Sequence, residues 1–431
     1  MSKPNPNPSR RIAVVGGSRI PFCRSNSIYS EKTNLDMLAA SLQGLIDRFD
    51  LHGEQVDEVI AGAVTSHSKD WNLAREALLS TSLSPLTPGI TLQQACGTSL
   101  QAALIIGAKI ATGQIECGIA AGSDTTSDPP ITFGRKFSQR LVKAGTARSA
   151  KQRLRAFKGF RPAELKPVLP ANGEPRTGLS MGQHCERMAR EWQISRQDQD
   201  RLAVASHHKA NQAWNDGFFD PIVTPWGGAA RDNNIRADSD LEKLGGLRTV
   251  FDKGEDATLT AGNSTPLTDG AAAVLLASED WASARGLPVQ AYITAGRTSA
   301  VDFVNDEGLL MAPTVAVAEM LQHAGLSLQD FDFYEIHEAF AAQVLCTLAA
   351  WESESYCRAR LGLEDALGSI DRDRLNVKGS SLAVGHPFAA TGARIVSTLA
   401  QILAEAGSGR GLISVCTAGG MGVAAILERG E

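Results

Sequence analysis

The chain has 431 residues, 43% apolar and 21% charged, with a formal net charge of −5 at pH 7. That length exceeds one ordinary core and sets an expectation of two or three domains, while no apolar run approaches the roughly 18 residues of a membrane span. The seven cysteines are scattered, odd in number and free of any CxxC pair, which argues against a disulfide framework or zinc site and for a reducing cytosol.

The chain begins Met1-Ser2-Lys3-Pro4-Asn5-Pro6, without an apolar stretch of leader type, so no export signal or transit peptide is expected. The first predicted strand is Ile12 to Gly17, followed by a helix from Leu35 to Phe49 and a strand from Val56 to Val64. Gly89 to Ala95 reads as a strand leading into Cys96. Leu100 to Ala111, apolar nearly all round, reads as a buried helix. Cys117 to Gly122 is the next buried strand.

From about Thr125 to Val250 the composition turns polar, with helices expected among long loops. Within it, Arg135 to Lys166 holds eleven basic residues and one acid, Glu164, a local net of +10. Phe137, Leu141, Leu154, Phe157 and Phe160 recur there at near-helical spacing, which predicts a basic amphipathic helix pair. Ser195 is placed to cap a helix beginning at Arg196. Further on come a helix near Val315 to Ala324, a strand from Phe331 to Ile336, a helix through Ala393 to Ala404, and a buried strand from Gly411 to Val415. Alternating strands and helices argue for α/β architecture with covered sheets. The unit of small turn, reactive residue, buried helix, buried strand and Gly-rich turn occurs twice, at Cys96 to Gly122 and at His386 to Gly419. That repetition predicts two duplicated α/β halves.

Four short segments carry reactive groups among small residues: Gln94-Ala95-Cys96-Gly97-Thr98-Ser99, His337-Glu338-Ala339-Phe340, Gly385-His386-Pro387 and Cys416-Thr417-Ala418-Gly419-Gly420-Met421-Gly422. Two thiols and two imidazoles in such settings suit acyl transfer: one Cys attacks, a His takes its proton, a second Cys handles another proton, and backbone N–H groups hold the oxyanion. Cys96, where a strand turns into a helix, is the candidate nucleophile, with the helix N-terminus expected to favour its thiolate. His386 is the candidate base, with Pro387 suited to a first helical turn. For Cys117, Cys185, Cys346 and Cys357 the expectation is a buried small apolar residue.

These four segments, in this order, resemble the thiolase family from about Arg11 to the C-terminus. The resemblance implies a thiolase fold, the two halves lying in a layered αβαβα arrangement with an inserted helical loop domain over the site. The expected division is 1–124, completed by about 251–285, then 125–250 as loop domain and 286–431 as the second half. It implies that Cys416 shuttles a proton to or from the substrate α-carbon, and that the backbone N–H groups of Cys96 and Ala418 form an oxyanion hole. His337 stands where many relatives carry Asn, a position whose side chain holds a water that polarises the second thioester oxygen.

The loop Gly262-Asn263-Ser264-Thr265 resembles the family's pantetheine-side loop, with Ser264 and Thr265 near CoA, and Met181 falls where a Met lines the acyl pocket. Ser380 departs from the Gly-Gly pair common in relatives. No resident cofactor or metal is expected, CoA being a substrate, and no Walker-type or dinucleotide fingerprint occurs. The resemblance to the long-chain degradative branch, including β-subunits of the fatty-acid oxidation complex, implies thiolytic cleavage of 3-ketoacyl-CoA to acetyl-CoA and a shortened acyl-CoA. The alternatives are an acetoacetyl-CoA-forming acetyl-CoA acetyltransferase, which would use the same residues, and a ketoacyl-ACP or polyketide-type synthase, against which Cys416 counts. A cytoplasmic homodimer or tetramer is expected, without nucleic acid. A hydratase–dehydrogenase partner subunit or an anionic membrane surface would meet residues 135–166.

Overall fold

The computed structural model describes residues 10–430; the opening segment Met1–Pro6, read above as lacking a leader, lies outside the described residues. In chain order the first part holds β1 (Ile12–Arg19), β2 (Cys23–Arg24), α1 (Asn34–Phe49), β3 (Glu58–Gly62), α2 (Leu73–Leu79), β4 (Gly89–Thr91), α3 (Thr98–Ala111) and β5 (Cys117–Asp124). A middle stretch holds β6 (Thr132–Phe133), α4 (Arg135–Gly145), α5 (Ala150–Ala156), β7 (Pro167–Val168), α6 (Met181–Glu191), α7 (Arg196–Asn215) and α8 (Leu241–Gly245). There follow β8 (Thr268–Ser278), α9 (Glu279–Ala284), β9 (Ala291–Ala300), α10 (Ala312–Ala324), β10 (Phe333–Ile336), α11 (Ala341–Glu352) and α12 (Glu354–Tyr356). Last come α13 (Ser381–Val384), α14 (Thr391–Ala406), β11 (Gly409–Thr417) and β12 (Met421–Arg429).

The strands repeat one pairing scheme twice. In the first half β3 runs parallel to β5, β5 antiparallel to β8, and β8 antiparallel to β1. In the second, β10 runs parallel to β11, β11 antiparallel to β12, and β12 antiparallel to β9. Even the outermost pairing recurs: β4 lies parallel to β3, and Leu375 makes a single parallel bridge to Tyr334 of β10. A short antiparallel overlap, Ile12–Val14 against Ala291–Ile293, joins the two sets into one ladder.

Every residue of β5 and of β8 is buried, so these strands read as runs of small and aliphatic residues rather than as an alternation. Helices α3 and α14 pack on each other and against strands of both halves, α1 and α2 cover the first half, and α10 covers the second, which gives the five layers. On α1, a capping box between Thr33 and Asp36 starts the helix. Its Leu38, Leu42, Leu45 and Ile46 are buried against β5 and β8, each worth about 1.5–3 kcal/mol of burial. Predicted and observed elements agree apart from bounds: the strand before Cys96 stops at Thr91, and α3 leaves Leu104 and Ile105 only half-buried.

The contact between α3 and α14 sets the site. A Cβ on Gly392 would sit 2.2 Å from the Leu100 backbone nitrogen, so the helices approach this closely only with glycine there. Ser99 spans the gap, its hydroxyl accepting from the Ala393 N–H at 2.8 Å and donating to the Ala389 carbonyl.

In the basic insert, α4 and α5 form the expected pair. Phe137 packs between Phe133 and Phe160, and Arg140 ties the insert together through Glu164 (2.7 Å) and the carbonyls of Ala156 and Lys158. The apolar face lies on α4 alone: Phe157 and Phe160 follow the end of α5, and Leu154 is 76% exposed.

Candidate functional site

The thiol of Cys96 and the ring of His386 meet at the junction of the halves, Sγ lying 3.1 Å from Nε2. Ala95, just before the nucleophile, holds φ +46°, a left-handed conformation that a non-glycine residue rarely adopts. The Thr98 hydroxyl braces that turn, donating to the Ala95 carbonyl at 2.7 Å and accepting from the Gln94 N–H at 2.8 Å. Gly385 also has φ in the left-handed region, +99°, and a Cβ there would meet Asn234 and Thr268 at 2.6 Å. His386 then leads into a three-residue turn, Phe388–Ala390, and α14 begins only at Thr391. Pro387 therefore precedes that turn rather than sitting in the first turn of the long helix.

The electrostatics differ from the expectation of a thiolate at a helix start. Helix α3 begins at Thr98, two residues beyond Cys96, with Gly97 at its N-cap. Burial pushes the Cys96 thiol up to about 12, opposed by the backbone N–H groups of Ala418 and of Cys96 itself, while Asp124 pushes it further up. Burial, with the Arg394 guanidinium, pushes His386 down to about 3. The resting pair is thus a neutral thiol and a neutral imidazole. His386 Nδ1 lies 2.6 Å from the Thr391 hydroxyl, and with that nitrogen protonated Nε2 is free to accept the thiol proton. The two N–H groups anticipated as oxyanion donors are the ones that bear on the sulfur.

Cys416, next to the last residue of β11, is buried, its thiol raised well above the usual range by burial and, when Cys96 is ionised, by that neighbouring charge. It packs with Met181, Cys185, Ala339 and Phe340. His337 lies on the other side, its ring centroid 4.2 Å from that of His386. The ligating atoms of Cys96, His337 and His386 fall within 4.8 Å of one another. Ser264 bridges to Phe340, and its buried hydroxyl has no hydrogen-bond partner. Thr265 also lies here, but its hydroxyl donates to the Ser381 carbonyl at 2.7 Å. Cys117, Cys185, Cys346 and Cys357 are buried and form no disulfide among the described residues, as expected of small core residues.

Several neighbours escaped the sequence reading. Glu338, inside a quoted segment, accepts from Ser206 (2.7 Å), Asn376 (2.7 Å) and the Leu382 N–H (3.2 Å), and so holds the His337 turn against α7 and α13. Arg394, a buried cation on the apolar helix α14, donates to Ser381 at 2.7 Å and to Ser380 at 3.2 Å, with Glu335 3.9 Å away. The Ser in place of the second Gly at 380 thereby gains a physical role as an acceptor for a buried guanidinium. Glu174, from the middle stretch, accepts from the Gly419 N–H at 2.7 Å and pins the turn after Cys416. The signal for Arg394 was available, a charged residue in a run of Ala, Ile and Val; that for Glu174 was not.

A duplicated α/β fold that brings a thiol and an imidazole into contact at the meeting of its central helices defines a class, thiol-dependent acyl-transfer enzymes. Comparison with known proteins narrows it. The chain matches the thiolase N-terminal domain over residues 12–280 and the thiolase C-terminal domain over residues 287–429. It is 40% identical to proteins named 3-ketoacyl-CoA thiolase from Yersinia pestis (strain Pestoides F) and Yersinia pseudotuberculosis serotype O:1b (strain IP 31758), covering 99% of this chain and all of each relative. Among solved structures it resembles the acetyl-CoA acetyltransferase of Bacillus anthracis (28% identity, TM-score 0.81) and human mitochondrial 3-ketoacyl-CoA thiolase (27%, 0.80). Each alignment covers 98% of this chain and 99% of the other. The chain belongs to the thiolase family.

Proposed function

We propose that the protein is a 3-ketoacyl-CoA thiolase that cleaves its substrate with CoA through an acyl-Cys96 intermediate. His386 Nε2 takes the Cys96 proton as the sulfur attacks the 3-keto carbon, and the backbone N–H groups of Cys96 and Ala418 receive the developing oxyanion. The bond between the α- and β-carbons breaks, its electrons leave on acetyl-CoA as an enolate, and Cys416 protonates the α-carbon. Free CoA then gives its thiol proton back to the Cys416 sulfur and attacks the acyl-Cys96 carbonyl, which releases the shortened acyl-CoA; the departing Cys96 sulfur takes back the proton held on His386 Nε2. Ser264, Thr265 and Met181 line the approach of the pantetheine arm and acyl chain, Thr265 through its backbone and methyl while its hydroxyl is held by Ser381. CoA is a substrate, and the scheme calls for no resident cofactor or metal.

The observation that carries this reading is the 3.1 Å contact between Cys96 Sγ and His386 Nε2, with Cys416 buried beside them. The full-length relatives at 40% identity favour the degradative direction over acetoacetyl-CoA formation. Incubation with acetoacetyl-CoA and CoA, followed as loss of the enolate absorbance, tests it; a purified, folded chain without such turnover would refute it.

The chain acts in the cytoplasm as a homodimer or tetramer, divided near residues 124, 250 and 285 as the duplication suggests. Among the described residues no helix is long and apolar enough to cross a membrane. The insert from Arg135 to Lys166 docks on an anionic membrane surface or a hydratase–dehydrogenase subunit, supported by its net +10 and by exposed Leu141, Val142 and Leu154. Charge reversal at Lys151, Arg153, Arg155 and Lys158 should abolish co-sedimentation with anionic liposomes or binding of that subunit, and leave acetoacetyl-CoA turnover little changed. A several-fold rise in the KM for CoA, with a wild type that ignores both, would make the insert a substrate-steering surface instead.

A further inference from the structure

His337 is buried and lies against the catalytic imidazole, yet one of its nitrogens, Nε2, has no hydrogen-bond partner among the described residues. The other, Nδ1, lies 2.9 Å from the Ser381 hydroxyl. That hydroxyl has one further partner among the described residues, the Arg394 guanidinium, which donates to it from Nη2 at 2.7 Å. A guanidinium only donates, so Ser381 Oγ accepts from Arg394 and is left with its own hydrogen to place. Among the described residues the acceptor hydrogen-bonded to it is His337 Nδ1. With its lone pair so engaged, a neutral His337 carries its hydrogen on Nε2, the buried nitrogen left unpartnered among the described residues, in a ring 4.2 Å from that of His386.

We propose that Arg394 and Ser381 are positioning residues that lock His337 in the Nε2–H tautomer, making it a standing hydrogen-bond donor to a substrate carbonyl oxygen beside Cys96 and His386. This rests on the thiolytic reading of the site. It assigns His337 a role different from that of a base: its free nitrogen offers a hydrogen and no lone pair. It also separates the two histidines. His386, held through Nδ1 by Thr391, presents a lone pair at Nε2, whereas His337, held through Nδ1 by Ser381, presents a hydrogen. The two imidazoles lie 4.2 Å apart and tilted by 50°, and with His386 protonated on Nδ1 they present opposite polarity. Ser380, the second acceptor for Arg394, and Glu335 at 3.9 Å hold the guanidinium in place.

The test is the tautomer of His337 in the whole protein, read by long-range 1H–15N correlation on histidine-labelled enzyme and assigned by the signal missing from His337→Asn. The expected wild-type pattern is a neutral ring protonated on Nε2; a ring protonated on Nδ1 overturns the proposal without any further variant. Ser381→Ala should release the tautomer and lower kcat on the order of ten-fold with little change in KM, less than the 10²–10³-fold cost of deleting an oxyanion donor outright. Ser381→Thr, which keeps the hydroxyl, should restore both the signal and kcat. In a His337→Asn background Ser381→Ala should cost nothing more. An equal loss in both backgrounds would show that Ser381 acts on the fold and not through His337. A wild type lacking thiolytic turnover would sink the functional reading instead, and the tautomer measurement would still decide the relay.

Discussion

The second parallel strand of each half, β5 and β11, ends at the catalytic junction, and the two ends do different work. β11 ends at Thr417, just past Cys416, a buried thiol to which no carboxylate or cation among the described residues is hydrogen-bonded. β5 closes on Asp124, whose buried carboxylate accepts from the Val64 and Thr65 N–H groups, the Thr65 hydroxyl and the Ala389 N–H at 2.7–3.0 Å. Burial raises the Asp124 carboxyl above its usual range, against the pull of those donors. In the proposed mechanism, the end of β11 brings a proton donor, Cys416, to the reacting carbon. The end of β5 nails down the turn, residues 388–390, that follows His386. The ends of the two strands thus serve differently, one bearing a buried thiol and the other a buried carboxylate that holds backbone N–H groups.

The comparison can be broken at several points. The largest effect belongs to Cys96→Ala, which should cut turnover by at least about 10⁴-fold and leave the circular dichroism spectrum and melting temperature nearly unchanged, since the side chain sits at a turn and is only partly enclosed. Next comes Cys416→Ala, expected to stop carbon–carbon cleavage by about 10²–10⁴-fold while alkylation of Cys96 by iodoacetamide near neutral pH stays at the wild-type rate. His386→Ala should slow that alkylation, because the imidazole that receives the thiol proton is gone. Like behaviour of the two variants in the alkylation assay would erase the division of labour. A pH profile sharpens the same point: with His386 pushed down to about 3 it stays neutral through the range in which a free histidine protonates. The acid limb of kcat/KM should therefore lie well below pH 6.5, and an inflection near 6.5 assigned to His386 would contradict the buried neutral pair.

Asp124→Asn should show the opposite signature from Cys416→Ala. It should destabilise the chain by about 1–3 kcal/mol, because an amide cannot accept all the N–H groups that converge there, and it should cost activity only modestly; unchanged thermal stability with cleavage abolished would mean that Asp124 joins the chemistry. The smallest effect is expected for His337→Asn, within about ten-fold of wild type, since an amide N–H can replace an imidazole N–H as donor. A loss of 10²-fold or more would be that of a group exchanging protons.

Much of this was legible in the sequence because it is local. The buried strands announce themselves as runs such as Cys117-Gly118-Ile119-Ala120-Ala121-Gly122, and Cys96, His337, His386 and Cys416 stand in short segments of small residues. What stayed hidden depends on partners far apart in the chain. The Glu174 contact with Gly419 spans 245 residues and the Ser99 link to Ala389 spans 290, and neither leaves a trace in spacing. The buried Arg19–Asp232 pair, at 2.6 and 2.8 Å, likewise fastens the middle stretch to β1 from 213 residues away. The protonation state of Cys96 was misjudged for a related reason. A helix N-terminus acts on a thiol through the geometry of its first N–H groups, and here the burial of the thiol outweighs it.

The central claim is that Cys96 carries the acyl group. Rapidly quenched enzyme with a 3-ketoacyl-CoA and no free CoA, digested and read by mass spectrometry, tests it most directly. The account predicts an acyl adduct, two carbons shorter than the substrate chain, on the peptide that contains Cys96. An adduct on Cys416 in its place, or turnover of Cys96→Ala at the wild-type rate, would contradict it.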